Sequence, residues 1–337
     1  MERILVTGGA GFIGSAFVRN MLAWYKDVYI VNLDKLTYAG NLDNLRGIDE
    51  QRYKFIHGDI CDAKTVSEAM EGCEYVVNFA AETHVDRSLM SNAIDFLKTN
   101  IEGVYQLLSV AKEKNVKKIV LISTDEVYGS REIGSALETD PINPRNPYSA
   151  SKSAGELMGM AFYHSFGLPV VITRGCNTYG PYQYPEKVLP LFITNALENK
   201  PLPLYKGGEY NVRDWLYVDD HCRAIDLVMR NGKIGEIYNI SAGFEKQNIE
   251  VTRKVLELTG KDESLIQWIP DRPGHDKRYS MNSDKIRALG WKPLVSWEEG
   301  MERTVKWYKE NEWWWRKIKE GEFKEYYRKK YIEGINH

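Results

Sequence analysis

The amino-terminal stretch Ile4-Leu5-Val6-Thr7-Gly8-Gly9-Ala10-Gly11-Phe12-Ile13-Gly14 decides the fold. Its first four residues are typical of a buried strand, and a helical pattern runs from Gly14 to Trp24. Gly9, Gly11 and Gly14 satisfy the pattern G-x-G-x-x-G at a strand–turn–helix junction. Such glycines let the backbone approach a pyrophosphate, which then rests on the amino terminus of the helix. The stretch predicts a dinucleotide site; a turn that serves packing only is the alternative.

An acidic residue beyond the glycines indicates which dinucleotide is preferred. Asp34 ends the second predicted strand, where a carboxylate can bind the ribose hydroxyls of adenosine. Because that carboxylate would repel a 2′-phosphate, NAD is favoured over NADP, although the adjacent Lys35 weakens the argument. Asp59, just after the third strand, either meets the adenine or caps a helix.

The first half of the chain alternates short apolar runs with helical patterns, which predicts βαβ units. The predicted strands are Ile4–Thr7, Val28–Leu33, Lys54–His57, Tyr75–Phe79, Lys118–Ser123 and Val170–Thr173. The predicted helices between them are Gly14–Trp24, Ala63–Met70 and Asn92–Lys114. We therefore predict an α/β fold with a Rossmann-type doubly wound parallel sheet, forming an NAD-binding domain over residues 1–175.

Residues 176–337 are richer in prolines than residues 1–175 and include the pair Gly207-Gly208, so they predict a loopier, smaller, mixed α/β substrate-binding domain interleaved with the first. Trp215–Val218 and Glu236–Ile240 indicate two more strands around a helix, and we expect residues 215–240 to return to the first domain. The tail carries Trp307 and Trp313-Trp314-Trp315. We expect these rings to pack on the substrate region, with an interfacial membrane helix as the alternative.

Composition excludes several classes of protein. The 337 residues include 45 basic and 47 acidic ones, a net charge of −2, which argues against a nucleic-acid partner. The four cysteines form no C-x-x-C pair, so we expect reduced buried thiols and no metal site. Neither a signal peptide nor an apolar run of 18 residues occurs, which favours a cytoplasmic protein without a membrane partner.

Tyr148 and Lys152 stand four residues apart, on one face of a helix. Spacing alone proves nothing, since Tyr326 and Lys330 repeat it in the charged tail. Context favours the first pair, which lies within the nucleotide-binding domain. A tyrosine has a pKa of about 10, so it becomes a useful base only beside positive charge, which Lys152 and an oxidised nicotinamide would supply.

The run Thr124-Asp125-Glu126 follows the fifth predicted strand, at the edge where open α/β sheets bind ligands. Two crowded carboxyl groups do not ionise together easily, so one tends to stay protonated while the other acts as a base. A dehydratase needs this division of labour, because one group removes a carbon-bound proton and the other protonates the departing hydroxyl. A solvated Asp-Glu turn is the alternative.

These residues resemble the extended short-chain dehydrogenase/reductase family, which acts largely on nucleotide sugars. Three further segments are similar to the dTDP-glucose 4,6-dehydratases of that family: Asp34-Lys35-Leu36-Thr37-Tyr38-Ala39-Gly40-Asn41-Leu42, Ala80-Ala81-Glu82-Thr83-His84-Val85-Asp86-Arg87-Ser88 and Thr124-Asp125-Glu126-Val127-Tyr128-Gly129. The resemblance implies that Tyr148, assisted by Thr124 and Lys152, takes the C4 hydroxyl proton while hydride passes to NAD. It implies that Glu126 then removes the C5 proton and Asp125 protonates the C6 oxygen, before hydride returns to C6.

The resemblance also assigns the two halves of a site. The implied NAD contacts are Gly8, Gly11, Phe12, Ile13, Gly14, Asp34, Lys35, Thr37, Asp59, Ile60, Ala80, Ala81, Thr83, Thr99, Tyr148, Lys152 and Cys176. The implied contacts with the dTDP-sugar are His84, Ser88, Thr124, Asn177, Glu186, Lys187, Pro203, Tyr205, Arg213, Asn248, Arg272 and His275. Thr178 and Asn282 depart from the family pattern. In this family the helices Asn92–Lys114 and Ser149–Ser165 pair across a dimer axis as a four-helix bundle, so a homodimer is expected.

The alternative functions are a nucleotide-sugar 4-epimerase, a nucleotide-sugar decarboxylase, a regulatory protein that senses NAD and a UDP-glucose 4,6-dehydratase. A nucleotide-sugar 4-epimerase or decarboxylase needs no acid pair beside the catalytic threonine, so Asp125 and Glu126 argue against both. A regulatory protein that senses NAD commonly loses the Tyr/Lys pair, which this chain keeps. A UDP-glucose 4,6-dehydratase stays open, because one methyl group on the base is worth only about 1–3 kcal/mol in a hydrophobic pocket.

Overall fold

The computed structural model describes residues 1–90, 93–271 and 274–332. The strands are β1 Glu2–Thr7, β2 Val28–Asp34, β3 Tyr53–His57, β4 Tyr75–Asn78, β5 Lys118–Thr124, β6 Val170–Gly175, β7 Asn177–Tyr179, β8 Leu202–Lys206, β9 Val212–Tyr217, β10 Ile237–Ile240, β11 Glu245–Gln247 and β12 Ile266–Pro270. The helices are α1 Phe12–Trp24, α2 Ala63–Met70, α3 Val85–Met90, α4 Ile94–Leu97, α5 Val104–Lys114, α6 Pro147–Phe166, α7 Val188–Leu197, α8 Val218–Asn231, α9 Asn248–Thr259, α10 Asp284–Arg287, α11 Trp297–Glu310, α12 Glu312–Glu320 and α13 Glu322–Tyr327.

A parallel sheet of seven strands, in the order β10-β6-β5-β4-β1-β2-β3, confirms the predicted Rossmann-type α/β fold. It has one strand more than the six predicted, because β10 pairs with β6, with Ile237 opposite Ile172. Residues 215–240 were expected to return to the first domain; α8 packs on the main sheet and β10 joins it, whereas β9 does not. That strand pairs with β7 and β11 in a separate three-stranded sheet, so its two edges are already occupied.

Apolar side chains cover both faces of the main sheet. Alternate residues of β1 point to opposite sides, with Ile4 and Val6 in one core and Leu5 in the other. Helices α1 and α8 pack on the first face, and α2, α5 and α6 pack on the second. Such burial on both faces explains why the strands read as nearly continuous apolar runs.

A third core holds the smaller region together, which also contains the two-stranded sheet β8-β12. Trp314 and Trp315 are fully buried in this core, whereas Trp313 is exposed, so the predicted packing of the tail is confirmed for two of its three adjacent tryptophans. Among the described residues, no helix is long and apolar enough to cross a membrane.

The helix predicted over Asn92–Lys114 is confirmed from Ile94 to Lys114, but it contains a π-helical turn that its periodicity did not predict. Asn92 lies outside the described residues, and from Ile94 the segment runs as α4, a π-helical turn over Lys98–Gly103 and then α5. The turn contains Asn100, whose buried side-chain amide binds both backbone groups of Glu82 and the hydroxyl of Ser151. The apolar periodicity of the segment carried no sign of this polar contact.

Candidate active site

The glycine loop between β1 and α1 forms one wall of a cleft at the carboxyl ends of the strands. Gly8 has a φ of +71°, and a Cβ there would lie 2.5 Å from the nitrogen of Ala80. A Cβ at Gly14 would lie 2.3 Å from the carbonyl oxygen of Gly8. A Cβ at Gly11 would approach the protein no closer than 3.3 Å. A Cβ at Gly8 or Gly14 would collide with backbone atoms, whereas at Gly11 it would make one tight contact with the carbonyl oxygen of Gly8. Gly11 lines the cleft at the amino terminus of α1, where a pyrophosphate would rest.

Asp34 holds the loop in place from the end of β2. Its two carboxylate oxygens accept hydrogen bonds from the backbone nitrogens of Ala10, at 2.8 Å, and Leu36, at 2.7 Å. The ammonium of Lys35 lies 2.7 Å from the carboxylate of Asp59, so it forms its ion pair away from Asp34. Burial raises the pKa of Asp34 despite these two hydrogen bonds. Because Lys35 pairs with Asp59, the carboxylate of Asp34 keeps its preference for NAD over NADP.

The carboxyl pair follows β5 in a 3-10 turn over Asp125–Tyr128. Thr124 begins this turn: its hydroxyl accepts from the nitrogen of Glu126 and donates to Oδ1 of Asp125 at 3.1 Å. Oδ2 of Asp125 is buried without a hydrogen-bond partner. Burial, and secondly the charge of Glu126, raise the pKa of Asp125 to about 8. At neutral pH this carboxyl group is therefore mainly protonated and can donate a proton.

Tyr148 and Lys152 lie in the first turns of α6, which Asn146 and Ser149 cap through a reciprocal capping box. The ammonium of Lys152 donates to the carbonyl oxygen of Ile122 on β5, at 2.6 Å, and burial lowers its pKa to about 8. Burial, together with the nearby carboxylates, raises the pKa of Tyr148. Added positive charge in the cleft would therefore be required to make this phenol a base.

The cleft brings together every residue that was assigned to NAD, as well as the catalytic set. Four of the residues assigned to the sugar nucleotide also line it: Thr124, Asn177, Glu186 and Lys187. Glu186 is buried and accepts from Nε of Arg87 at 2.6 Å. Burial lowers the pKa of Lys187.

A second group of assigned residues lies outside the lining of this cleft. The rings of Tyr205 and His275 pack edge to face, 5.5 Å apart, and Pro203 stands beside Tyr205 on β8. The guanidinium of Arg213 donates to the backbone oxygens of Val212 and Asp276. The side-chain amide of Asn248 donates to the backbone oxygen of Gly208. Arg272 lies outside the described residues.

His84 and Ser88 lie outside the lining of the cleft, and His84 contacts Tyr326 of the carboxyl-terminal segment. His84 is buried with a φ of +85°, a conformation that costs about 1–3 kcal/mol in a residue other than glycine. Ser88 donates to the carbonyl oxygen of Val85 within α3. His84 thus lies in the loop after β4, immediately before α3, and Ser88 lies within α3.

Sequence reasoning missed several residues of this site. Tyr38, Gln183 and His221 line the cleft, and Asn100 supports its wall through Glu82. The buried hydroxyl of Thr178, at the departure from the family pattern, lies 2.8 Å from Nδ1 of His221. Burial lowers the pKa of His221 to about 4, so this imidazole is neutral at pH 7. No local pattern could have paired residues 43 positions apart.

Comparisons with known proteins agree with this geometry. The family model described as GDP-mannose 4,6 dehydratase matches residues 5–304. A dTDP-glucose 4,6-dehydratase of Streptomyces niveus is 48% identical over 323 residues, 94% of this chain and 96% of that protein.

Solved structures extend the likeness to three dimensions. The crystal structure of DesIV, a dTDP-glucose 4,6-dehydratase from Streptomyces venezuelae with NAD and TYD bound, is 50% identical, with a TM-score of 0.91. The match covers 94% of this chain and 99% of DesIV. A UDP-glucose 4-epimerase from Thermus thermophilus, in complex with NAD, is 33% identical with a TM-score of 0.85, over 92% of this chain and 99% of the epimerase.

Proposed function

The chain belongs to the GDP-mannose 4,6 dehydratase family, and we propose that within it the protein is an NAD-dependent dTDP-glucose 4,6-dehydratase. This hydro-lyase converts dTDP-glucose into dTDP-4-keto-6-deoxyglucose. Residues 1–175 hold NAD, and residues 176–337 supply most contacts with the sugar nucleotide.

One observation carries the proposal: a carboxyl pair, of which Asp125 is buried, lies in the same cleft as the Tyr–Lys pair. Tyr148 and Lys152 alone would serve an epimerase equally well. Asp125, with its pKa raised to about 8, adds an acid that is protonated at neutral pH, beside a second carboxyl group on Glu126. Elimination of water needs both a base and an acid, and this pair supplies them.

NAD, when bound, supplies a hydride acceptor at C4 of the sugar and later a donor at C6. Four residues of the cleft would hold it. Gly11 lies at the amino terminus of α1, the carboxylate of Asp34 lies beside the glycine loop, and Ala80 and Thr99 line the walls. Because each turnover restores the oxidised form, we expect a cofactor that stays bound between cycles.

The chain's own side chains move the protons. Tyr148, assisted by the hydroxyl of Thr124 and the charge of Lys152, removes the C4 hydroxyl proton. The 4-keto group that results acidifies C5, where Glu126 acts as the base. Asp125 gives its proton to the C6 oxygen, which leaves as water.

The direct test incubates purified protein with dTDP-glucose and, separately, with UDP-glucose, and records the ultraviolet absorbance of a 4-keto product in alkali. We expect product from dTDP-glucose at the higher kcat/KM. A preference for UDP-glucose would replace the thymidine nucleotide in the proposal, and activity on neither substrate would refute it.

A double variant tests the acid pair. Asp125→Asn with Glu126→Gln should keep bound NAD and lose dehydration, because the amides keep the shape of the carboxyl groups but can act neither as the acid nor as the base. The matched control is Asp262→Asn with Glu263→Gln, an exposed Asp-Glu pair that also opens a 3-10 turn. Product formation at the wild-type rate by the first double variant would contradict the assignment.

We further propose that the protein is a homodimer that forms a four-helix bundle through α4, α5 and α6. Leu97, Tyr105, Leu157 and Phe166 on these helices are each about half exposed, which is costly for large apolar side chains in water. Leu157→Glu should dissociate the dimer, measured as molar mass by light scattering. A monomeric wild type would contradict this proposal.

We also infer a cytoplasmic location. Cys61, Cys73, Cys176 and Cys222 are all free thiols, of which Cys61 is half-buried instead of buried as expected. Free thiols persist in a reducing compartment. Fractionation of cells that produce the protein tests this, and recovery outside the cytoplasm would refute it.

A further inference from the structure

The second Tyr-x-x-x-Lys pair of the chain, Tyr326 and Lys330, has no part in the reaction proposed above. It lies in the segment of residues 323–332, which we name the carboxyl-terminal strap. The family model ends at residue 304, so the strap lies beyond the part of the chain that the model matches. Tyr326 belongs to α13, and Lys330 belongs to the π-helical turn that follows.

Lys330 and Tyr326 bind the chain just after β4. The ammonium of Lys330 pairs with the carboxylate of Asp86, and both side chains are more than nine-tenths buried. The phenol oxygen of Tyr326 lies 3.3 Å from Nε2 of His84, the residue with a φ of +85°. The strap thus holds the strained turn where β4 leads into α3.

A chain of contacts connects the strap with the cleft. The guanidinium of Arg87 lies between two rings, 3.6 Å from the centroid of Tyr38 and 4.7 Å from that of Tyr326. Its Nε donates to the carboxylate of Glu186 at 2.6 Å. Because Tyr38 and Glu186 both line the cleft, Tyr326 forms one side of the clamp that orients two lining residues.

The strap also reaches the second group of residues assigned to the substrate. Nζ of Lys330 lies 6.0 Å from the ring centroid of Tyr205, which packs against His275. Lys330 therefore lies between Asp86 on one side and the packed rings of Tyr205 and His275 on the other. A sugar nucleotide extends between these two groups if the proposed function is correct.

We propose that Tyr326 and Lys330 are positioning residues for the sugar nucleotide, acting through Arg87 and Asp86. This inference rests on the proposed function. Loss of the ammonium would leave the carboxylate of Asp86 buried without this charge partner, which is strongly unfavourable. The turn after β4 would then rearrange. Arg87 would lose its hydrogen bond with Glu186, so the carboxylate of Glu186 would no longer be held in its present orientation.

The test compares variants of the strap as full-length proteins with bound NAD. Lys330→Met should raise the KM for dTDP-glucose about tenfold and change kcat less than about threefold, since the side chain contacts no reacting atom. Lys330→Arg should restore the KM, because a guanidinium can also pair with Asp86. The matched control is Lys329→Met, on the same turn but half exposed and paired with Glu325, which should leave both constants unchanged.

Two further variants separate positioning from stability. Lys330→Met combined with Asp86→Asn removes both charges, so it should regain melting temperature while the KM stays high. Tyr326→Phe should raise the KM about threefold, whereas Tyr327→Phe, whose hydroxyl faces Asn195, should not.

The outcomes that overturn the proposal are distinct from those that overturn the function. If wild-type protein makes product and Lys330→Met has an unchanged or lower KM, the strap only stabilises the fold or obstructs the site, and the proposal is wrong. The proposal is equally wrong if the KM recovers in the double variant together with the melting temperature. An inactive wild type would refute the proposed function and this inference with it.

Discussion

Dehydration by this protein should fail as the pH rises through about 8, because Asp125 must carry a proton to expel water. Its carboxyl group is 4% exposed and lies beside Glu126, and both conditions raise its pKa to about 8. A group with this pKa is about nine-tenths protonated at pH 7 and about one-tenth protonated at pH 9. The rate of the elimination step should therefore fall about tenfold over that interval.

Asp125→Asn removes the acid itself. General acid catalysis contributes about 10²–10⁴-fold, so the variant should lose activity by that factor and show no decline that depends on this proton. Although the variant loses activity, its stability at high pH should exceed that of the wild type. Between about pH 4 and 8 the folded protein holds a proton that the unfolded chain has lost, so wild-type stability falls as the pH rises through this window. The asparagine variant should therefore melt higher than wild type above pH 8.

Lys152 complicates the assay, since its pKa is lowered to about 8 and its neutralisation would slow the first step. Substrate deuterated at C4 separates the two causes. If Asp125 limits the rate at high pH, elimination becomes the slow step and the C4 isotope effect on kcat shrinks toward unity. If Lys152 limits it, C4 oxidation becomes slow and the isotope effect grows. A flat pH profile, or an isotope effect that grows with pH, would refute the reasoning about Asp125.

Three further outcomes follow from the packing. Gly11→Ala should fold with a near-normal melting temperature and lose bound NAD, measured by absorbance after denaturation. Gly14→Ala should fail to fold, because its Cβ would lie 2.3 Å from a backbone oxygen. Equal stability of the two variants would contradict this reasoning. Asn100→Ala should lower the free energy of unfolding by about 1–3 kcal/mol in urea titrations, since it leaves buried partners unpaired; an unchanged midpoint would count against it. Trp314→Ala should cost about 3–5 kcal/mol in the same assay, because the ring is 1% exposed; a loss below about 1 kcal/mol would show that the tail is loosely packed.

The cofactor half of the site was predictable because its signals are local. The glycine loop, the acid that ends β2 and the helix-start tyrosine each follow a strand in a βαβ unit, and parallel strands bring such positions to one edge. The substrate half was harder to predict. Arg213 and Tyr205 lie on strands of the smaller sheets, outside the lining of the cleft, and the pairing of β9 with β7 and β11 could not be read from its apolar pattern.

The sequence by itself determined the doubly wound sheet, the dinucleotide loop and the identity of the acid pair, because strand periodicity and the chemistry of adjacent side chains need no distant partner. Tertiary structure alone decided the protonation of Asp125, since burial and not residue type raises its pKa. Tertiary structure also decided the different roles of the two Tyr-x-x-x-Lys pairs, which have the same spacing in the sequence. Tyr148 and Lys152 lie in the cleft, whereas Tyr326 and Lys330 reach back more than 240 residues to His84 and Asp86. Only the folded chain brings such remote groups within contact distance, where burial strengthens the attraction between Lys330 and Asp86.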